Sequence, residues 1–336
     1  MPKLSVNLIT WNGEKYIPHL FQSLRNQTFK NWELLVIDNN SSDATAAKIE
    51  LELNNFSVSA RFIKNDKNRG FAGGHNQGLA ETKTEFALLL NQDIYLAPDY
   101  FEKVVGFMEA RPEAAAGQGI LCRWEFPDNK TDKIDSSGLK VFKNRRVIDD
   151  GAGQRAGDFI KSDAPFEVFG LSGALPMFRL MALQKIAVQG EIFDEDFFCY
   201  KEDVDLAYRL RSAGYKSYII PGSQAWHART APGQDNLQDE AAVKFRANKR
   251  PFINYHSYKN HFFVLIKNEY WQNLLIDFPR ILWYEIKKLA YVLFFEQRTL
   301  ATLWAALRLK PKMLRKHTAI SKMRKITYKE MRKWFT

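Results

Sequence analysis

The chain has 336 residues, 46% of them hydrophobic, enough for one large α/β domain with an appendage or for two modest domains, and excludes a disordered protein. Its net charge of +11 is concentrated: after Ala301 there are eleven Lys and Arg against Glu330 alone, so the body is nearly neutral and a protein that coats nucleic acid globally is excluded. Two cysteines, Cys122 and Cys199, cannot build a disulfide framework and lack metal-type spacing; they read as buried free thiols in a reducing compartment.

The chain enters Leu4 to Thr10 with no basic n-region or small-residue cleavage site before it, which predicts a cytoplasmic protein and a first strand. Trp11-Asn12-Gly13 is the turn that follows. Ile17, Leu20, Phe21 and Leu24 fall at helical spacing within a predicted helix from Tyr16 to Asn26. Trp32 to Asp38 is a second apolar strand ending in a carboxylate. Asn39 to Thr45 is a loop rich in N-cap residues, with a helix from about Ala44. Arg61 to Asn65 is a short third strand. The glycine-rich Asn68 to Gly78 leads into a helix, Phe86 to Leu90 is a fourth strand running on to Asp93, and Pro98 opens the next helix. Strands alternating with helical patterns predict an α/β fold, a mostly parallel sheet with helices on both faces.

Beyond Pro98 the pattern loosens. Glu125 to Asp163 predicts loops with a hairpin around Leu139 to Val147. Order returns at Val168 to Arg179, with a helix over Met181 to Val188. Phe193 to Asp205 is acidic and aromatic together, and Leu206 onward continues as a helix that Gly214 would stop. Tyr215 to Ile220 is a strand closed by Pro221-Gly222, followed by Ala225 to Arg229. From about Phe252 the composition is helical and aromatic, and no stretch there reaches the roughly 18 apolar residues of a membrane span.

Asp38 and Asp93 both end apolar strands, which puts two carboxylates on one edge of the sheet, where open α/β sheets bind ligands. Oxygen ligands of this kind suit Mg²⁺ or Mn²⁺ together with phosphate. Either Asp alone would serve equally as a cap or turn former. The segment Gly70 to Gly78 could face a phosphate with its helix N-terminus, yet it has neither the G-x-G-x-x-G spacing nor a Walker Lys, and turn glycines account for it as well. Glu202 and Asp203 are the candidates for proton transfer. They sit at a helix start, where they could also be mere dipole partners, but Phe197, Phe198 and Tyr200 beside them suggest a pocket. His227 alone reads as a structural histidine; as neutral imidazole it would also suit Mn²⁺.

These pieces in this order resemble the family-2 inverting glycosyltransferases of the GT-A type, the rhamnosyltransferase-like branch in particular. The matching segments are Val6 to Asn12, Val36 to Asp43, Asn68 to Gly78, Leu90 to Asp93, Gly190 to Asp203 and Trp226-His227, over roughly the first 230 residues. The resemblance implies a catalytic domain over residues 1–230, with a nucleotide-binding half to about residue 97 and an acceptor half after it, and a helical extension over 231–336. It implies that Asp38 bonds the nucleotide base with Thr10 and Asn12 near the nucleoside, and that Asn68 and Arg69 sit by the nucleotide with Asn76 behind it. Asp93 would hold a divalent cation, Mg²⁺ or Mn²⁺, and His227 would be a further metal or phosphate contact. Asp203 would be the base and Glu202 its orienting neighbour. The family's metal motif is usually Asp-x-Asp; here Asn91 stands first, a neutral and weaker ligand. The likeness leans toward a deoxythymidine-diphosphate rhamnose donor, with uridine-diphosphate sugars also open, and toward a saccharide or lipid-linked saccharide acceptor in cell-surface polysaccharide or glycolipid synthesis.

Two rival readings follow from the same residues. A nucleotidyltransferase acting on sugar phosphates shares strand-end carboxylates and a cation, but it would carry a basic phosphate loop after the first strand, where this chain has Trp11-Asn12-Gly13-Glu14. A nucleic-acid reader would explain the basic tail, yet no reader module is recognisable. The preferred partner for the C-terminal basic and aromatic helices is an anionic membrane surface, giving a peripheral position at the inner face of the membrane.

Overall fold

The computed structural model describes residues 1–54, 56–229, 246 and 250–336. Its first half contains β1 (Leu4–Thr10), α1 (Ile17–Arg25), β2 (Trp32–Asp38), α2 (Thr45–Leu53), β3 (Ala60–Lys64), α3 (Gly70–Glu81) and β4 (Phe86–Asn91). The four strands pair in parallel, with β1 between β2 and β4 and β3 outside β2. The largely apolar runs of β1, β2 and β4 are explained by burial on both faces, whereas the edge strand β3 is partly exposed. Phe86, Leu88 and Leu90 enter one core with Ile17, Leu20, Phe21 and Leu24 of α1. Ala87 and Leu89 enter the other, with Ala72 and Leu79 of α3.

The second half is more ordered than its composition suggests. It comprises β5 (Ile94–Leu96), α4 (Tyr100–Ala110), β6 (Ala114–Glu125), β7 (Asn129–Ser136), β8 (Leu139–Val141), β9 (Val147–Asp149), α5 (Ala156–Phe159), β10 (Phe166–Val168), β11 (Met177–Arg179), α6 (Leu180–Lys185), α7 (Glu202–Ser212) and β12 (Lys216–His227). The sheet runs β10-β12-β6-β11-β4-β1-β2-β3, with β5 on β12 and β7 on β6. The antiparallel strand β11 joins the two halves by pairing with both β4 and β6. The hairpin expected near Leu139 is present as β8 and β9.

Several expected boundaries are corrected. Part of the presumed loop from Glu125 is strand, because β6 and β7 pair as an antiparallel ribbon despite the polar sequence of β7. Pro221-Gly222 does not close the last strand: β12 continues to His227, absorbing the turn former as a register shift between Ile220 and Gln224. The helix expected over Met181 to Val188 spans Leu180–Lys185, while α7 begins at Glu202, where the helix start was expected.

The C-terminal part holds α8 (Pro251–Asn268), α9 (Trp271–Phe295), α10 (Ala301–Met323) and α11 (Tyr328–Arg332). The expected division near residue 230 lies outside the described residues. These helices share a core with the second half of the sheet: Phe263, Val264, Met313, Met331 and Phe335 pack with Leu139, Val141, Phe197, Val204 and Tyr208. The chain end closes the contact through Thr336 N–H donating to the Val141 carbonyl and Lys143 N–H donating to the Thr336 carbonyl. No described helix is long and apolar enough to cross a membrane.

Candidate active site

The carboxyl ends of β1, β2 and β4 lie side by side, with Thr10 in register with Asp38 and Ile9 with Asn91. Thr10 Oγ1 donates to Asp38 Oδ1 at 2.8 Å. Ser41 donates to Asp38 twice, from Oγ at 2.6 Å and from its N–H at 2.9 Å. Asn12, at φ 47°, accepts the Ser42 N–H at 2.8 Å, which latches the loop after β2 to the turn after β1. Gln92 clamps that turn to the end of β4 by donating to the Trp11 carbonyl and accepting the Trp11 N–H, both at 2.9 Å. Thr10, Asn12, Asp38 and Asn91 are thereby gathered on one sheet edge.

The glycine segment has mainly a packing role. Asn68 Oδ1 accepts the Gly70 N–H at 2.7 Å, and Gly70 has φ +70° with Phe198 O only 2.4 Å from where a Cβ would sit. At Gly78 a Cβ would meet Asn7 Oδ1 at 2.9 Å, so the absent side chain lets α3 lie close on β1. Arg69 stands at the head of α3. Asn76 lies further along α3. Its amide exchanges hydrogen bonds with the Phe193 backbone at 2.8 Å each way and donates to Glu195.

Asp93 is held where β4 turns into β5, because β5 pairs with the end of β12 and the Asp93 carbonyl accepts the Ala228 N–H. His227 thus faces it, Nε2 lying 3.3 Å from Asp93 Oδ1. The other ring nitrogen meets Asp135 Oδ2 at 2.9 Å. Arg229 bridges onward, to Asp135 at 3.2 Å and Asp149 at 2.8 Å. Burial pulls the His227 pKa down, but the two carboxylates outweigh it and hold the value at about 9. Burial likewise opposes ionisation of Asp93, and the His227 charge overcomes it, leaving Asp93 below its ordinary value. Asp135 and Arg229 carry no strand-end or helix-start signal, and Asp149 ends only the short strand β9; the position of Arg229 two residues after His227 was the remaining hint.

The pair expected to move protons heads α7. Asp203 Oδ2 accepts the Gly173 N–H at 3.1 Å and Oδ1 its helix-start bond from Val204 N–H at 2.7 Å. Burial raises its pKa, the Asp149 charge adds to that, and the two N–H groups oppose it. Burial lifts Glu202 well above the usual carboxyl value, with Asp203 adding to it, and Glu202 Oε2 is buried without a hydrogen-bond partner among the described residues. The expected aromatic lining is only partly met. Phe197 belongs to the C-terminal core and Phe198 packs on Phe252 and His256, whereas Tyr200 is exposed. The approach to α7 is strained: Phe198, Tyr200 and Lys201 all have φ between 65° and 67°. One side chain fastens it, Asn260 Nδ2 donating to the carbonyls of Phe197, Cys199 and Tyr200 at 3.0, 2.8 and 2.7 Å.

The residues fit a divalent cation in a limited way. Asp135 orients the His227 ring as outer-shell carboxylates orient metal-binding imidazoles. Among the described residues no three or more His, Cys, Asp or Glu side chains are grouped to hold a metal. A cation at Asp93 and His227 would therefore draw further ligands from a bound diphosphate, as Mg²⁺ commonly does.

Residues 5–171 match the glycosyl transferase family 2 profile. The chain is 30% identical over 115 residues to an uncharacterized glycosyltransferase of Haemophilus influenzae, covering 34% of this chain and 35% of that protein. It is 33% identical over 93 residues to the GalNAc(5)-diNAcBac-PP-undecaprenol beta-1,3-glucosyltransferase of Campylobacter jejuni, covering 28% and 30%. The chain thus spans about a third of the length of these curated relatives. In fold it resembles a mannosyltransferase from Pyrobaculum calidifontis solved with GDP-Man and Mn²⁺, with a TM-score of 0.53 and 18% identity over 99% of this chain and 83% of that one. The architecture is of the GT-A type.

Proposed function

Taking as premise that residues 5–171 are a glycosyltransferase family 2 domain, we propose that the chain is an inverting, metal-dependent glycosyltransferase. It moves a sugar from a nucleoside diphosphate to a hydroxyl of a saccharide or lipid-linked saccharide, in cell-surface polysaccharide or glycolipid synthesis. Among donors, the rhamnosyltransferase-like motifs put deoxythymidine-diphosphate rhamnose first, ahead of uridine-diphosphate sugars. The observation that carries this reading is a line of alternating charge, Asp93, His227, Asp135, Arg229 and Asp149 in successive contact. Asp203 lies within electrostatic reach of both Arg229 and Asp149. One ionic line therefore couples the strand-end acid on the donor side to the acid at the head of α7.

In the proposed reaction, Thr10, Asn12 and Asp38 hold the nucleoside, while Asn68, Arg69 and Asn91 flank the nucleotide. Asp203 Oδ accepts the proton of the acceptor hydroxyl as that oxygen bonds to the anomeric carbon from the face opposite the leaving group. The bond from the anomeric carbon to the phosphate oxygen breaks with its electron pair, and nucleoside diphosphate departs. Asp203 then returns the proton to solvent. A divalent cation held by Asp93 and His227 would supply charge neutralisation at the departing diphosphate. Glu202 orients the base or the acceptor from its neighbouring position.

A panel of nucleotide sugars scored by thermal shift with Mg²⁺ or Mn²⁺, followed by assay of nucleoside diphosphate release, tests the reading. Stabilisation and turnover with one donor are expected. Pyrophosphate release from a nucleoside triphosphate would instead assign a nucleotidyltransferase.

A further inference from the structure

Helix α9 is built with its polarity reversed. The side against the protein carries Asn273 and Asp277, buried alongside only Ile281 and Val292, and Glu285, which bonds His261. Asp277 takes Arg145 at 2.9 Å and two nitrogens of Arg332 at 2.6 and 2.9 Å. The outer side presents Trp271, Leu275, Phe278, Leu282, Ile286 and Leu293, all exposed and aligned as one stripe at helical spacing. A surface helix of a water-facing fold has the opposite arrangement. Trp271 is 66% exposed and Phe294 near the far end 76%.

After the turn at Gln297–Leu300 the exposed side of α10 continues with Trp304 and Leu307, then Arg308, Arg315 and Lys322 at seven-residue intervals. Among the described residues this outer side carries no carboxylate. The acids of α9 are Asp277 and Glu285, both engaged inward, α10 has none, and Glu296 between them pairs with Arg246. The basic tail is less available than its composition implies: Lys316 is buried on Asp194 and Lys312 meets Asp196.

We propose that α9 and the exposed side of α10 form a docking surface for an anionic lipid bilayer. The Trp, Phe and Leu side chains of the outer stripe enter the headgroup region, and Arg308, Arg315 and Lys322 meet the phosphates. Charge complementarity selects this occupant. A second copy of the chain would bring like-charged rims together across a twofold interface. The surface stands apart from the proposed reaction and binds lipid whether or not the chain transfers sugar.

The full chain, mixed with vesicles of phosphatidylcholine alone or of phosphatidylcholine with phosphatidylglycerol in equal amounts, tests this by flotation. It should float with the anionic vesicles and far less with the neutral ones. Combining Phe278→Ser with Leu282→Ser should weaken partitioning by about tenfold per side chain, with an unchanged circular dichroism spectrum because both residues are exposed. Leu51→Ser, at an exposed leucine on α2, should float as the parent does. The proposal is overturned if the parent chain does not float, or if the double variant floats as well as the parent. It is also overturned if the stripe instead mediates a dimer, seen by sedimentation, that the double variant dissolves without any lipid binding.

Discussion

Two adjacent carboxyls at the head of α7 sit in one buried setting, and under the proposed reaction their ionisation bears on both stability and rate. Burial raises Glu202 well above 4.5, with Asp203 adding to it. Burial raises Asp203 above 3.8, with Asp149 adding to it. A carboxyl whose pKa is higher folded than unfolded contributes stability that is complete below the unfolded value and is lost as pH rises through the folded one. The urea midpoint should therefore fall as pH climbs from about 4 toward neutrality, and Glu202→Gln, which cannot ionise, should retain part of that stability. Equal midpoints for parent and variant across the range would remove the assignment. Asp203→Asn tests the chemistry: it should lower turnover by about 10²–10⁴-fold while calorimetric donor affinity stays nearly unchanged. Asp38, Asp93 and Asp203 were legible in the sequence because each stands at the end of a patterned element. Asp135 was not, since its role depends on His227, 92 positions away.

Elements were legible where burial is two-sided. The parallel strands β1, β2 and β4 are largely apolar runs between turn formers, so pattern alone locates them to within a residue or so. The later strands were obscured by side chains that suit their surroundings and hide the pattern: β6 opens on Ala114-Ala-Ala-Gly117, β7 is largely charged, and β12 contains Pro221-Gly222. The turn into α7 is the least legible element and the most dependent on remote support. Three left-handed residues persist there because the Asn260 amide collects three carbonyls. Asn260→Leu should cost about 2 kcal/mol, taking about 1 kcal/mol for each of the two N–H donors that the amide shares among the three carbonyls. Its effect on turnover should exceed its effect on stability, because the turn aims Asp203. Denaturation midpoints and kcat measured on the same preparation check this, and a variant that keeps full kcat would show that the turn holds without Asn260.

Over the whole molecule, the C-terminal helices are part of the machinery that presents the acidic loop. Composition made them appear an appendage, because their basic and aromatic character differs from the body. Sequence could not reveal that Lys267 on α8 and Lys316 on α10 converge on Asp194, at 2.6 and 2.5 Å, with both lysines buried. Burial opposes the Asp194 charge, but the two lysines overcome it and hold its pKa far below the ordinary value. Its contribution is therefore present above about pH 4 and lost on acidification below that. Breaking such a buried set by removing one partner costs about 3–5 kcal/mol, because the remaining charges stay uncompensated. Removal of residues 251–336 takes away both lysines and also uncovers Phe197, Val204 and Tyr208. A chain ending before Pro251 should therefore fail to fold, giving no cooperative thermal transition and rapid proteolysis across residues 190–212, whereas Asp194→Asn alone should fold with a lowered midpoint. A cooperative, protease-resistant truncated chain would mean that the sheet stands by itself and that the helices only cover it.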